Sequence, residues 1–140
     1  MHKLALIALT LLTTTANANQ LIVEAFYDKD TRLVNVQMAE RVANVKTYDL
    51  SAPESFEDML SEGLSDDPAI AQEQAKQKIE QRGNEIQQQL MAAYEGGLKA
   101  MQYEIDKIPA IVFNGGEHVI FGVHDVNKAI SIYKKQVTQQ

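Results

Sequence analysis

A chain of 140 residues is long enough for one domain with a real core, and a 45% share of hydrophobic residues argues against disorder. The formal net charge is -6 and no lysine/arginine cluster stands out, so there is no electrostatic footprint for nucleic acid. The chain has no cysteine, which excludes disulfides, cysteine-based zinc sites and thiol catalysis together.

Residues 1–18 read as an export signal. His2 and Lys3 give a weakly positive start, Leu4 to Leu12 are almost wholly apolar, and Ala16-Asn17-Ala18 has the small-x-small form of a cleavage site. The apolar run is too short to span a bilayer. The expectation is therefore a periplasmic chain, cleaved before Asn19, with no stable membrane insertion and one domain over 19–140. An exported chain without disulfides must be held by its core alone.

"NQLIVEAFY" reads as a buried strand, and "DKDTR" breaks it. Val34, Met38 and Val42 recur at helical spacing, which predicts a short helix over 33–43. "VKTYDL", residues 45–50, alternates as a second strand. Ser51-x-x-Glu54 has the form of a capping box, in which serine and glutamate satisfy the free backbone donors of a helix start. Phe56, Met59 and Leu60 supply that helix's apolar face, and Gly63 suits its end. Asp66 and Asp67 before Pro68 open another helix. From there Ala71, Ala75, Ile79, Ile86, Leu90, Ala93 and Met101 keep a three-to-four spacing, which predicts one long helix or a broken pair. Seven glutamines between Gln72 and Gln89 read as its solvated face. Gly83 and Gly96-Gly97 are its weak points: a hinge on one reading, close packing against another element on the other. Neither the glutamines nor the broken heptads decide whether this helix mediates dimerisation.

"PAIVF" and "EHVIF" read as a hairpin around Asn114-Gly115-Gly116, a turn that needs positive φ. Val126, Ala129, Ile130, Tyr133 and Val137 then line one face of a last helix, with Lys134 and Lys135 near its end favouring the dipole. The alternation predicts an α/β fold, a central sheet flanked by helices, with a long helical insertion over about 52–104 before the Pro109 strand.

Pro109 stands at the mouth of a strand, where it can donate no ladder hydrogen bond. "KIPAIVF" in this order of elements resembles the signature loop of a thioredoxin-like domain. The resemblance implies a cis Ile108-Pro109 bond, with the proline backbone turned toward whatever occupies the site beside the first helix. A redox thioredoxin carries C-x-x-C after the first strand; here that region is "FYDKDTRLVNV", so thiol–disulfide exchange is impossible. Three blocks, "IVEAFY", "YDLSAPESFEDMLSEGL" and "YEIDKIPAIVFNGGEHVIFGVHDVNKAISIY", resemble a family of small exported proteins encoded in integrating conjugative elements. That family is similar to the thioredoxin-like pilin-assembly component of F-type conjugation systems. The resemblance implies a non-enzymatic role beside a type IV secretion apparatus, with other periplasmic conjugation proteins as partners and no catalytic residue or cofactor. The expected protein-binding loop combines Ile108, Pro109 and Ala110 with Asp28 and Asp30.

Two rival classes remain: a general periplasmic chaperone on the same redox-dead fold, and a cysteine-free enzyme with a carboxylate or histidine site. His118 and His124 could pair on a metal with Asp125, but one sits in a strand beside a turn and the other at a helix start, so no metal is expected. Glu24, Asp28 and Asp30 fall near the carboxyl end of the sheet, where α/β folds bind ligands, but the expected reading of them is a solvated acidic loop. No serine has a recognisable histidine and acid beside it.

Overall fold

Residues Ile22–Tyr27 form β1, and their nearly unbroken apolar run is explained by cover on both sides. The computed structural model describes residues 19–140; the export signal expected over 1–18 lies outside the described residues. A four-stranded sheet has the order β2-β1-β3-β4. β2 (Asn44–Asp49) runs parallel to β1, and the crossover that parallel pairing requires holds the short helix α1 (Val36–Glu40). β3 (Ala110–Phe113) pairs antiparallel with β1, placing Phe26 opposite Ala110 and Val23 opposite Phe113. β4 (His118–Phe121) returns antiparallel along β3, and the turn between them has positive φ at Asn114, Gly115 and Gly116, as the sequence predicts.

Alternation along β1 and β3 feeds two cores. On one face Val23, Ala25, Ile111 and Phe113 pack beneath α1 and α4 (Val126–Thr138), with the Phe113 and Tyr133 rings stacked at 4.4 Å. On the other, Phe26, Tyr48, Ala110 and Val112 pack beneath the last turns of α3 (Pro68–Gln102), with Phe26 and Tyr48 stacked at 5.1 Å. The architecture is thus a mixed α/β sheet with helices on both faces. Among the described residues, no helix is long and apolar enough to cross a membrane.

Three local expectations need correction. The helix expected over 33–43 is only Val36–Glu40, and the face traced by Val34, Met38 and Val42 points outward. Ala39 and Ala43 face the core instead, because small side chains let this short helix lie close to the sheet. The capping box at Ser51 does not form, since both its members have nearer partners. Ser51 Oγ donates to Asp49 Oδ1 at 2.5 Å and accepts from Lys29 N, while Glu54 pairs with Lys29 Nζ at 2.8 Å. The helix that follows, α2, spans Ala52–Ser61 and is succeeded by Gly63 at φ 77.

The third correction concerns α3. Asp67 caps it by accepting from Ala69 N and Ile70 N, as expected. The helix runs 35 residues and is broken at Arg82, beside Gly83. Its first half lies along α2, where Lys78 Nζ donates to the Leu60 and Glu62 carbonyls. Yet Ile79, Leu90 and Met101, expected on a buried face, are exposed, and the sheet-facing side is Ala93, Gly96 and Ala100. The helix sits too near β2 for larger residues: a Cβ on Gly96 would lie 3.0 Å from Tyr48 Cβ. Close packing therefore accounts for Gly96, whereas Gly97 faces open space.

The two neighbouring glycines should respond oppositely to alanine. Gly96→Ala pushes against a strand atom that cannot swing aside and should cost about 1–3 kcal/mol by urea unfolding. Gly97→Ala, in dilute solution, should stabilise by about 0.4–1 kcal/mol through the unfolded chain. Equal effects at both positions would contradict the packing described.

Candidate functional site

The register of β1 against β3 carries Pro109 beside Tyr27, at the carboxyl end of β1. The Ile108-Pro109 bond is cis, as expected. The proline carbonyl is not turned to an open site, however: it accepts from Gly122 N at 2.9 Å, because the chain after β4 continues the ladder past Phe121. Pro109 and Ala110 are buried, so neither offers a side chain to a partner, and Ile108 is half-buried against the Phe26 and Tyr48 core. Upstream the chain is open. Among the described residues, no hydrogen bond engages the backbone N–H or C=O of Asp106, Lys107 or Ile108.

Across from that stretch, Asp28 builds the loop that leaves β1. Its carboxylate accepts from Asp30 N at 2.9 Å, from Thr31 N at 2.8 Å and from Thr31 Oγ1 at 2.5 Å. These bonds, the threonine hydroxyl first, hold the carboxyl below its ordinary range. Asp28 is therefore consumed by its own turn, and only Asp30 of the two loop aspartates presents an exposed side chain. Lys29 is likewise taken by Glu54.

Beside the loop lies a cleft of about 260 Å³ lined by Tyr27, Arg32, Leu33, Val36 and Thr47. Sequence reasoning missed it. Its only linear signal is a basic–apolar pair, Arg32-Leu33, directly after a polar loop. Burial, then the Asp49 carboxylate, pushes the Tyr27 phenol up and keeps it neutral. Arg32 is exposed and makes no ion pair among the described residues. The cleft thus offers an apolar floor, one phenol and one guanidinium, with no thiol and no activated nucleophile.

The histidines fall apart into separate roles. His118 stands edge-on to the Tyr133 ring at 5.5 Å, and His124 Nδ1 lies 3.2 Å from the Arg32 carbonyl. Asp125 caps α4 through Lys128 N and accepts from Asn35 Nδ2 at 2.7 Å, which keeps its carboxyl low. No group of three or more His, Asp or Glu side chains among the described residues could hold a metal ion.

Glu24 is not part of a solvated acidic loop, contrary to expectation. It is 7% exposed, on the α3 face of β1. Tyr48 OH donates to its Oε1 at 3.2 Å, Tyr103 OH donates to its Oε2 at 2.5 Å, and Lys99 Nζ lies 3.7 Å away. The Glu24 hydrogen bond, with burial behind it, pushes the Tyr103 phenol up to about 12. The cluster ties the end of α3 to the central strand.

Because a raised phenol pKa favours the folded state only while the phenol is neutral, this tie is complete below about pH 10 and is lost as pH rises toward about 12. Tyrosinate absorbance should show one phenol ionising near that upper value. Glu24→Ala should bring it down toward 10 and, by leaving two phenols without their acceptor, cost about 1–3 kcal/mol in urea. An unchanged tyrosinate titration would contradict the assignment.

No curated protein and no solved structure matches the chain. A family model described as a protein of unknown function (DUF1525) matches residues 18–139, nearly its full length, and the chain belongs to that family.

Proposed function

We propose that this chain is a non-enzymatic periplasmic protein of an integrating conjugative element, a thioredoxin-like scaffold that supports assembly of a type IV secretion apparatus by binding its other proteins. The strand order and directions support the thioredoxin-like reading: a parallel β1–β2 pair with a helical crossover, then an antiparallel hairpin and a closing helix. The three blocks that resemble the conjugative-element family support the setting. The reading that the protein binds rather than catalyses rests on one observation above all: an open main-chain segment, Asp106 to Ile108, just ahead of the Pro109 strand at the carboxyl end of β1.

Free backbone donors and acceptors just ahead of a strand can pair with the main chain of a partner peptide. Main-chain bonds would supply affinity, and the exposed Asp30 and Arg32 of the loop after β1 would add charge selectivity. The expected loop is accordingly revised in its roles. Ile108 and Asp30 face the partner, whereas Pro109, Ala110 and Asp28 shape the surface from within.

Lys107→Pro removes one of the free N–H groups, while Lys107→Ala removes only the side chain. In a donor strain, the proline variant should lower DNA-transfer frequency and recovery of periplasmic partners at least about tenfold, in the range of an interface hot spot. The alanine variant should not. Both should unfold at the wild-type midpoint. Wild-type transfer from a strain lacking the gene would overturn the function itself.

A further inference from the structure

α3 carries an apolar stripe that the rest of the described chain leaves uncovered. Met91, Tyr94, Leu98 and Met101 follow at spacings of three, four and three, the a/d pattern of a coiled-coil seam. Met91 and Leu98 are each 67% exposed and Met101 77%, while Leu90 and Tyr94 beside them are more than two-fifths exposed. The opposite side of the same turns, Ala93, Gly96 and Ala100, is the one seated on the sheet. We propose that this stripe packs antiparallel against the same stripe of a second copy, forming a two-fold dimer.

Four features select a second copy as the occupant. First, the stripe is symmetric about residue 96, with methionine at both ends and Tyr94 and Leu98 inside. A two-fold axis there sets Tyr94 against Leu98 of the partner subunit and Met91 against Met101 of the partner subunit, which is the self-complementarity an isologous contact requires. Second, charge favours it. The chain carries a net -6, so most of its surface repels a second copy. From Gln87 to Gln102 the only charged side chains are Glu95 and Lys99; Lys46 takes the first at 2.5 Å, and the second leans to Glu24.

Third, Gly97 borders the stripe and its missing Cβ faces open space, so nothing in the single chain accounts for a glycine that weakens the helix. A helix of a second copy passing close to that backbone does account for it. Fourth, the open area is of the right order: five side chains, each between 42% and 77% exposed, leave on the order of 600 Å² per copy, at the lower end of a standard interface of about 600–1,000 Å² per partner.

Sedimentation equilibrium of the purified protein from about 1 µM to about 100 µM decides the matter. The expected result is a dimer mass. Leu98→Asp and Tyr94→Lys, each placing a charge in the seam, should each raise the dissociation constant at least about a hundredfold with unchanged circular dichroism. Val42→Asp, at an exposed apolar residue off the stripe, should not. Tyr94→Lys with Leu98→Asp in one chain should restore the dimer, because opposite charges then meet across the axis. Met101→Asp repeats the test at the most exposed position. A wild-type monomer throughout, a dimer indifferent to Leu98→Asp, or a double variant that stays monomeric would each overturn the proposal.

Discussion

The central strand is buried on both faces, and it admits one charged residue. Between Val23 and Phe26 every side chain is withdrawn from water, so Glu24 is accommodated there only because Tyr48, Tyr103 and Lys99 converge on it. That requirement reaches far along the chain. Tyr103 and Lys99 belong to the end of α3, so satisfying one carboxylate draws this helix onto the sheet. The approach is then so close that the helix must present Ala93, Gly96 and Ala100 to β2. Its larger apolar residues are displaced to the outer side. The buried acid and the exposed stripe are two ends of one packing arrangement.

The same strand delivers the chain to the candidate site. Where β1 emerges, Asp28 turns the chain through three hydrogen bonds ahead of the Tyr27–Arg32–Leu33 cleft, and the β1–β3 register brings the residues before Pro109 to the same end of the sheet. Nothing there supplies a thiol or an activated nucleophile. The proposed role is recognition, with main-chain groups as the adhesive. The α3 stripe lies on a separate surface, so the two proposed contacts need not exclude one another. A dimer would present two such loops to a larger assembly.

How much of this was legible in the sequence depended on how local the cause was. The strands, the Asn114-Gly115-Gly116 turn, the Asp67 cap and the face of α4 around Ala129 and Ile130 all follow from periodicity or turn chemistry, and all stand. The misreadings share a non-local origin. Periodicity found the apolar side of α3 but not its direction, since the buried side was set by clearance to Tyr48, forty-eight residues away from Gly96. Ser51 and Glu54 had the right spacing for a cap and lost it to Lys29, which tertiary structure brings near. Glu24 looked like one more acid at a strand end, because the phenols that accommodate it come from Tyr48 and Tyr103. At the site, Pro109 was legible, but the cleft was not: its lining joins β1, the following loop and β2.

The claim on which the functional reading stands is that a partner lies along the segment ahead of Pro109. Site-specific photo-cross-linking in donor cells tests it most directly. A photoreactive residue at position 107 should capture a protein of the secretion apparatus during mating, and one at position 42, on the outer face of α1's flank, should not. Capture of no apparatus protein at position 107, or of the same products from both positions, would contradict it.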